Sequence, residues 1–176
     1  EFLGIPYLII TDVDSVDPAN KRKACRADSA DAVTSNASIV FFLNRNTIDD
    51  LAGLSLDDVS VAADRGFIAF QRSTPTPSFG DEEQMYGRTL EETFVYQNIV
   101  SFKDGDLSCG IDIPETAEDV RQSIYDLVRS DTFKKTDFSL DMASSGIEWT
   151  TPKYISDGLI WLKDQLAVPQ NEEEAA

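Results

Sequence analysis

The sequence predicts an α/β fold in which helices flank a parallel sheet. Two short apolar runs, at residues 6–11 and 67–71, are rich in β-branched or aromatic side chains, as buried strands of parallel sheets are. Two later segments, at residues 116–129 and 153–166, carry apolar residues at helical spacing. The length of 176 residues suits one such domain, with room for a small subdomain.

The first predicted strand ends in a pair of acids. The run PYLIIT is followed directly by Asp12 and, two residues later, by Asp14. Sites in α/β sheets lie at the carboxyl ends of the strands, so this strand presents both carboxylates where such sites form. The next segment, residues 15–38, is polar and contains the densest basic cluster of the chain. It is predicted to be a long loop.

Further helices are predicted around the second strand. Residues 39–43 are compatible with a strand or a helix, and their polar flanks slightly favour a short helix. Residues 57–64 favour an acidic, exposed helix. The helix at residues 89–98 begins with Thr89 as its N-cap and has Glu92 three residues later, which is the spacing of a capping box. The last helix carries one apolar stripe made of Ile155, Leu159, Leu162 and Leu166.

The chain divides into a core and a C-terminal helical part. Residues 1–114 form the predicted core, with an irregular or helical insertion at about 15–65. Residues 115–168 form the helical part, which includes a further helix at 133–143, and residues 169–176 form a disordered tail. The sequence lacks an initial methionine and opens directly into apolar residues. We therefore expect it to be a piece of a longer protein.

Composition excludes several kinds of site. Histidine is absent, which removes nucleophilic catalysis with a histidine base and histidine zinc sites. Cys25 and Cys109 form no Cys-x-x-Cys motif, so neither a disulfide scaffold nor a cysteine zinc cluster is predicted. The net charge of −17 repels nucleic acid and anionic membranes unless metal ions or a basic patch intervene. Without a long apolar run or a signal-peptide pattern, the chain is expected to be soluble and cytoplasmic, with no membrane partner.

Asp12 and Asp14 are the sharpest local sign of chemistry. Two carboxylates without a nearby cation repel each other unless a divalent metal joins them. A plain structural explanation is that acids at the end of a strand begin a turn. An EF-hand loop is excluded, because Asp17 stands where that loop requires glycine and Lys23 where it requires glutamate.

A phosphatase of the haloacid-dehalogenase type is an alternative for the same residues. An apolar strand followed by Asp-x-Asp-x-Val resembles the nucleophile motif of that family, with Asp12 as nucleophile and Asp14 as general acid. The family also needs a later acidic motif at the end of a strand. Here Gly80 and Asp81 do not follow a predicted strand, and Met85 stands where an acid is needed.

Three segments carry a further family resemblance. They are LGIPYLIITDVDS, YGRTLEETFVYQN and KKTDFSLDMA, in that order. Together they resemble the Toprim domain at the C-terminal end of class 2 OLD-family (overcoming lysogenization defect) ATP-dependent endonucleases. The resemblance covers most of the chain and implies a Toprim, Rossmann-like parallel sheet flanked by helices. It also implies a metal-dependent DNA endonuclease that nicks or cuts by two-metal hydrolysis.

The resemblance assigns roles by matching motifs. The implied metal ligands are Asp12, Asp14, Ser15, Glu91 and, in the neighbouring register, Glu92. Catalysis would depend on Asp12, Asp14 and Lys135, and Lys135 matches the lysine that stabilises charge on the cleaved phosphate. Two divalent metals supply the nucleophile and neutralise phosphate charge without histidine.

The implied cofactors and partners follow from the same resemblance. The cofactors are two Mg²⁺ or Mn²⁺ ions, and the substrate is DNA. ATP would act only through an upstream ATPase domain of the same polypeptide, which would assemble as a homodimer. The family's first acidic motif, Glu-Gly-x-x-Glu, is not among these 176 residues and would lie upstream. The chain alone is then expected to be weak or inactive.

Basic residues complete the candidate site. The predicted DNA contacts are Lys21, Arg22, Lys23, Arg26 and Arg88. Simpler explanations exist for each feature: the basic loop improves solubility, Arg88 pairs with an acid, and Glu91 and Glu92 are exposed charges in the first turn of a helix. Lys134 and Lys135 then form a solvated helix face. Under these explanations the chain is a non-catalytic acidic interaction domain.

Overall fold

A computed structural model describes residues 5–62, 65–107 and 109–167 of the chain. Its strands are β1 (Tyr7–Ile10), β2 (Ser15–Asp17), β3 (Lys23–Ala24), β4 (Val33–Thr34), β5 (Ser60–Val61), β6 (Gly66–Ala69), β7 (Thr74–Pro75) and β8 (Gln84–Met85). Its α-helices are α1 (Ala37–Leu43), α2 (Ile48–Ala52), α3 (Leu90–Gln97), α4 (Ile99–Lys103), α5 (Ala117–Val128), α6 (Lys135–Ser144) and α7 (Lys153–Ala167). Short 3-10 helices lie at Pro18–Asn20, Asp57–Val59 and Pro77–Phe79. The predicted tail at 169–176 lies outside the described ranges.

A three-stranded sheet contains both predicted strands. β1 pairs in parallel with β6, with Tyr7 opposite Gly66 and Ile10 opposite Ala69. β5 pairs antiparallel with the other edge of β6, giving the order β1-β6-β5. The mixed α/β class is thereby confirmed. In the described part of this sheet, however, the parallel arrangement is limited to the β1–β6 pair.

The two strands differ in burial, and the prediction of a buried first strand is only partly correct. All four residues of β6 are buried, because β6 lies between β1 and β5 and beneath α7. β1 is half-buried and ends in an exposed residue, Ile10. The difference follows from position in the sheet, since β1 lies at the edge of its described part.

The segment after β1 is more ordered than the sequence predicts. Residues 15–38 are not simply a loop, because β2, β3 and β4 form an antiparallel sheet in the order β3-β2-β4. Such short strands, two or three residues long, leave too little periodicity to be recognised in sequence. The helix expected at residues 57–64 is wrong: a 3-10 helix leads directly into β5, and residues 63 and 64 lie outside the description.

The other predicted helices are present. α1 covers the segment at 39–43, and α5 begins after Thr116, whose hydroxyl accepts from the backbone N–H of Asp119 at 3.1 Å. α6 and α7 correspond to the helices predicted at 133–143 and 153–166. None of the helices in the described ranges is long and apolar enough to cross a membrane.

The buried face of α7 is not the predicted stripe. Leu159 and Leu166 of that stripe are 50% and 64% exposed, whereas Tyr154 and Gly158 are buried. The small Gly158 allows the helix to approach β1 and β6 closely. The need for a small residue where α7 meets the sheet therefore determined which face of the helix is buried. The hydrophobic periodicity of the sequence does not show this requirement.

Two apolar clusters form the core. The first surrounds the β1–β6 sheet and includes Val13, Ile39, Leu51, Phe67, Phe70 and Tyr154. The second joins α3, α4, α5 and α6 and includes Met85, Phe94, Ile124, Val128 and Phe138. The C-terminal helices thus do two different things: α7 covers the sheet, and α5 and α6 pack against α3 and α4. The candidate site lies where β1 meets the start of α3.

Gly158 provides a test of the sheet–helix contact. A Cβ at this position would lie 2.7 Å from Leu8 Cδ1 and 3.1 Å from Ala69 Cβ. We expect Gly158→Val to lower the free energy of unfolding by about 2–3 kcal/mol, because the helix must move away from the sheet. Urea denaturation measures the change. Leu159→Ala, on the exposed side of the same helix, should cost less than about 1 kcal/mol, and equal losses in the two variants would contradict this packing.

Candidate active site

The end of β1 and the start of α3 are joined by hydrogen bonds. Asp12 Oδ1 accepts from the backbone N–H of Leu90 at 3.0 Å, across 78 positions of sequence. The backbone N–H of Asp14 donates to the carbonyl of Arg88 at 3.3 Å. The free N–H groups and positive end of a helix favour a nearby carboxylate. This contact brings the first and second motifs of the sequence together.

Gln71 fixes the Asp12 segment, and sequence analysis did not identify it. Its side chain is fully buried. Its Oε1 accepts from the backbone N–H of Val13 at 2.7 Å. Its Nε2 donates to Asp12 Oδ1 and, at 3.2 Å, to Tyr154 Oη. The sequence signal was a polar residue at the end of an apolar run, which is not specific.

The carboxyl group of Asp12 is surrounded by other site residues. Burial raises its pKa, and the neighbouring carboxylates of Glu91 and Asp14 raise it further. The hydrogen bond from Gln71 and the positive charge of Lys135 lower the pKa and oppose this change. Asp12 thus lies within electrostatic range of three residues that the sequence analysis selected.

Asp14 is held in an unusual backbone conformation. Its φ is 49°, in the left-handed region that aspartate tolerates better than most residues. Its carbonyl accepts from the backbone N–H of Ser35 at 3.1 Å. Arg88 Nη2 lies 3.1 Å from Asp14 Oδ1. Backbone strain of this kind is concentrated at functional sites.

Glu91 and Lys135 form an ion pair between α3 and α6. Lys135 Nζ donates to Glu91 Oε2 at 2.9 Å. The Glu91 side chain is 10% exposed and that of Lys135 is 56% exposed. The explanation of Glu91 as a solvated charge is therefore wrong. The ammonium group, by contrast, remains accessible to a ligand.

Glu92 is the most deeply buried carboxyl group of the cluster. It is 1% exposed, so it too is not a solvated charge. Its Oε2 accepts from the backbone N–H of Arg88 at 2.8 Å, and Oε1 has no hydrogen-bond partner among the residues described. Burial raises its pKa to about 7, although the hydrogen bond from Arg88 and the positive charge of Arg88 both lower that pKa. The predicted capping box is wrong in detail, because the hydroxyl of Thr89 makes no capping bond and Glu92 binds Arg88 instead.

Ser15 and Arg26 have structural partners. Ser15 is fully buried and its hydroxyl donates to the carbonyl of Cys25 at 2.7 Å. Arg26 pairs with Asp28 at 2.7 Å and with Glu118 at 2.6 Å. These contacts link the β2–β3 segment internally and to α5. They do not favour the predicted metal and DNA contacts of these two residues, which stay predictions.

The other basic residues lie in or next to the β2–β3 connection. Lys21 and Lys23 are exposed. Arg22 Nη2 donates to the carbonyl of Thr34 at 3.5 Å, and Thr34 is opposite Ser15 in the small sheet. Their contact with DNA stays a prediction.

No protein-family model, curated protein or solved structure matches this chain. Function is therefore inferred from the chemistry of the site. The residues that the structure brings together here are Asp12, Asp14, Arg88, Glu91, Glu92 and Lys135, with Gln71 beneath Asp12.

The donor atoms suit a hard divalent cation. Asp12 Oδ2, Asp14 Oδ2 and Glu91 Oε1 make no hydrogen bond to any residue in the described ranges, whereas the partner oxygen of each group is engaged. Carboxylate oxygens are the preferred ligands of Mg²⁺ and Mn²⁺. Within these ranges, no three acidic or cysteine side chains are gathered closely enough to hold an ion as they stand. Instead, Arg88 forms an ion pair with Asp14, and Lys135 forms an ion pair with Glu91.

Gln71 provides a test of how the Asp12 segment is held. We expect Gln71→Met to lower the free energy of unfolding by about 2–3 kcal/mol, because the buried N–H of Val13 loses its acceptor. The pKa of Asp12 should also rise further, since its hydrogen bond from Gln71 lowers that pKa. Urea denaturation measures the first effect and NMR titration the second. Gln122→Met, at an exposed position of α5, should change stability by less than about 0.5 kcal/mol; similar losses would contradict the proposed support.

Proposed function

We propose that this chain is a metal-dependent phosphodiesterase domain that nicks or cuts DNA, with Asp12, Asp14 and Glu91 as metal ligands and Lys135 as the electrostatic catalyst. The observation that carries the proposal is the convergence of three separate sequence motifs. Asp12 contacts the start of α3, and Glu91 on α3 contacts Lys135, which is 44 positions further along the chain. Asp12, Glu91 and Lys135 are far apart in the sequence, so local structure alone does not explain why they lie close together.

Each side chain of the proposed site has a separate role in phosphodiester hydrolysis. Bound Mg²⁺ or Mn²⁺ would lower the pKa of a water nucleophile and neutralise phosphate charge. Gln71 and the N–H of Leu90 orient the carboxylate of Asp12. Arg88 orients the carboxylate of Asp14. The accessible ammonium of Lys135 donates hydrogen bonds to a phosphate oxygen as negative charge develops there.

The finer parts of the proposal are supported by the resemblance alone. They are a Toprim-type sheet, of which the parallel β1–β6 pair would be part, a second metal ion held partly by an upstream Glu-Gly-x-x-Glu motif, and an upstream ATPase domain in a homodimer. We therefore expect the natural polypeptide that contains this chain to be more active than the chain alone.

Cleavage of supercoiled plasmid tests the proposal. We expect nicked circles with Mn²⁺ or Mg²⁺ and none with EDTA for the longest natural polypeptide that contains this chain, and weak nicking or none for the chain alone. Turnover of small phosphate monoesters without plasmid cleavage would favour the phosphatase alternative, with Asp12 as nucleophile. A folded protein that does neither and binds no metal would be better explained as an acidic interaction domain.

A further inference from the structure

A small apolar cavity opens beside the Glu91–Lys135 ion pair. Its volume is about 250 Å³, and its lining includes Glu91 together with Phe94, Phe138 and Trp149. Phe94 follows Glu91 by three positions on α3, so the aromatic part of the cavity begins about one helical turn, roughly 5 Å, from the ion pair. The cavity is thus continuous with the proposed active site.

The aromatic rings of this cavity hold one another in place. The ring centroids of Phe94 and Trp149 are 5.2 Å apart with an interplanar angle of 64°. Those of Phe94 and Phe138 are 5.6 Å apart at 88°. Trp149 nevertheless remains 38% exposed. An indole that is fixed by its neighbours and partly accessible offers a rigid stacking surface at little entropic cost.

The polar groups around the cavity match a nucleotide. Lys135 supplies a positive charge at the ion pair, and Ser139, one turn further along α6, lines the cavity together with Thr151. A nucleotide has the complementary parts: a flat base, polar atoms at its edge and a phosphate.

We propose that this cavity receives one unpaired nucleobase, stacked on Trp149, from the strand whose phosphate meets Lys135. The inference rests on the proposed nuclease function and specifies its substrate class as nucleic acid with an unpaired nucleotide beside the scissile phosphate. Stacking on an aromatic side chain binds single strands without strong sequence preference. A paired base is unavailable to such a cavity unless it leaves the duplex.

Fluorescence of Trp149 tests this proposal directly. The chain has two tryptophans, and Trp161 packs against Phe67 in the first apolar cluster. In a Trp161→Phe protein, Trp149 is the sole indole reporter. The probes are a single-stranded thymidine oligonucleotide, an abasic strand of the same length and a blunt duplex, each titrated with Ca²⁺ in place of Mg²⁺ to prevent turnover. We expect quenching by the thymidine strand at a concentration at least about fivefold lower than for the abasic strand or the duplex.

Substitution of Trp149 provides the second measurement. Fluorescence anisotropy of a labelled thymidine strand should show binding at least about fivefold weaker for Trp149→Ala and within about twofold of wild type for Trp149→Phe. Leu140→Ala, at an exposed position of α6 outside the cavity, should bind normally. Equal binding of thymidine and abasic strands overturns the proposal, and this comparison decides the matter even if Trp149→Ala fails to fold.

Failure of the cavity proposal is distinguishable from failure of the nuclease proposal. Plasmid cleavage without base-dependent quenching overturns the nucleobase site and leaves the nuclease intact. Base-dependent quenching without cleavage by the metal-loaded longest natural polypeptide removes the nuclease and leaves a nucleic-acid-binding cavity. Absence of both results overturns both proposals.

Discussion

Asp14→Ala and Lys135→Ala are each expected to lower metal-dependent plasmid nicking by about 100-fold or more. Loss of Asp14 removes a proposed metal ligand and leaves Arg88 without the carboxylate that it contacts at 3.1 Å. Loss of Lys135 removes the ammonium that we propose stabilises developing phosphate charge, and removal of an interaction of this kind costs roughly 10²–10³ in rate. The initial rate of conversion of supercoiled to nicked plasmid in Mn²⁺, with the substitutions made in the longest natural polypeptide that contains this chain, measures both effects.

Neighbouring residues of the same type provide matched controls. Lys134→Ala removes a lysine whose Nζ contacts the carbonyl of Asp131 rather than Glu91. Asp81→Asn removes an exposed acid in the loop before β8. Both should retain nicking activity within about twofold. Because Lys135→Ala leaves the buried carboxylate of Glu91 without its partner, urea denaturation of each variant must show a folded protein before its activity is compared. Full activity in either site variant would contradict the assigned role of that residue.

Glu92→Gln is expected to stabilise the protein by about 3 kcal/mol above pH 7 and to have little effect near pH 4. Burial raises the pKa of Glu92 from 4.5 to about 7, and each unit of difference between the folded and unfolded states corresponds to about 1.4 kcal/mol. The folded state binds this proton more tightly than the unfolded chain. The contribution of Glu92 to stability is therefore fully present below pH 4.5 and is lost as the pH rises through about 7.

Urea denaturation at several pH values in EDTA measures this effect. The difference in free energy of unfolding between Glu92→Gln and wild type should grow between pH 4.5 and 7 and level off above it. Glu115→Gln, at an exposed position before α5, should give a small difference that is the same at every pH. A constant difference for Glu92→Gln across this range would show that Glu92 is not the buried, proton-binding carboxyl described above.

The sequence predicted some elements well because their signals are local. The apolar run of β1 and the helical spacing of α5 are each contained within a dozen residues, and both elements form where expected. Elements that depend on partners were missed. β2 is three residues long and is stabilised only by pairing with β3 and β4, so its sequence carries no period of its own.

The same distinction applies to the candidate site. Asp12 and Asp14 were identified because a strand ends beside them, and Lys135 was identified through a resemblance. The burial of Glu92 and the three hydrogen bonds of Gln71 were not predicted. A glutamate in the first turn of a helix and a glutamine after a strand are ordinary at the level of sequence, and only the surrounding chain gives them a special environment.

The sequence by itself determined which kinds of catalytic and metal-binding site are excluded and where the Asp12–Asp14 motif lies relative to the first strand. The lack of histidine excludes histidine-dependent catalysis and histidine metal sites, and the apolar run before Asp12 and Asp14 predicts that they follow a strand. Only the tertiary structure decided that Glu91 and Lys135 meet beside Asp12, and that Arg26 pairs with acids elsewhere. The physical reason is that these contacts join residues far apart in the chain, and helix and sheet packing determine which of them meet.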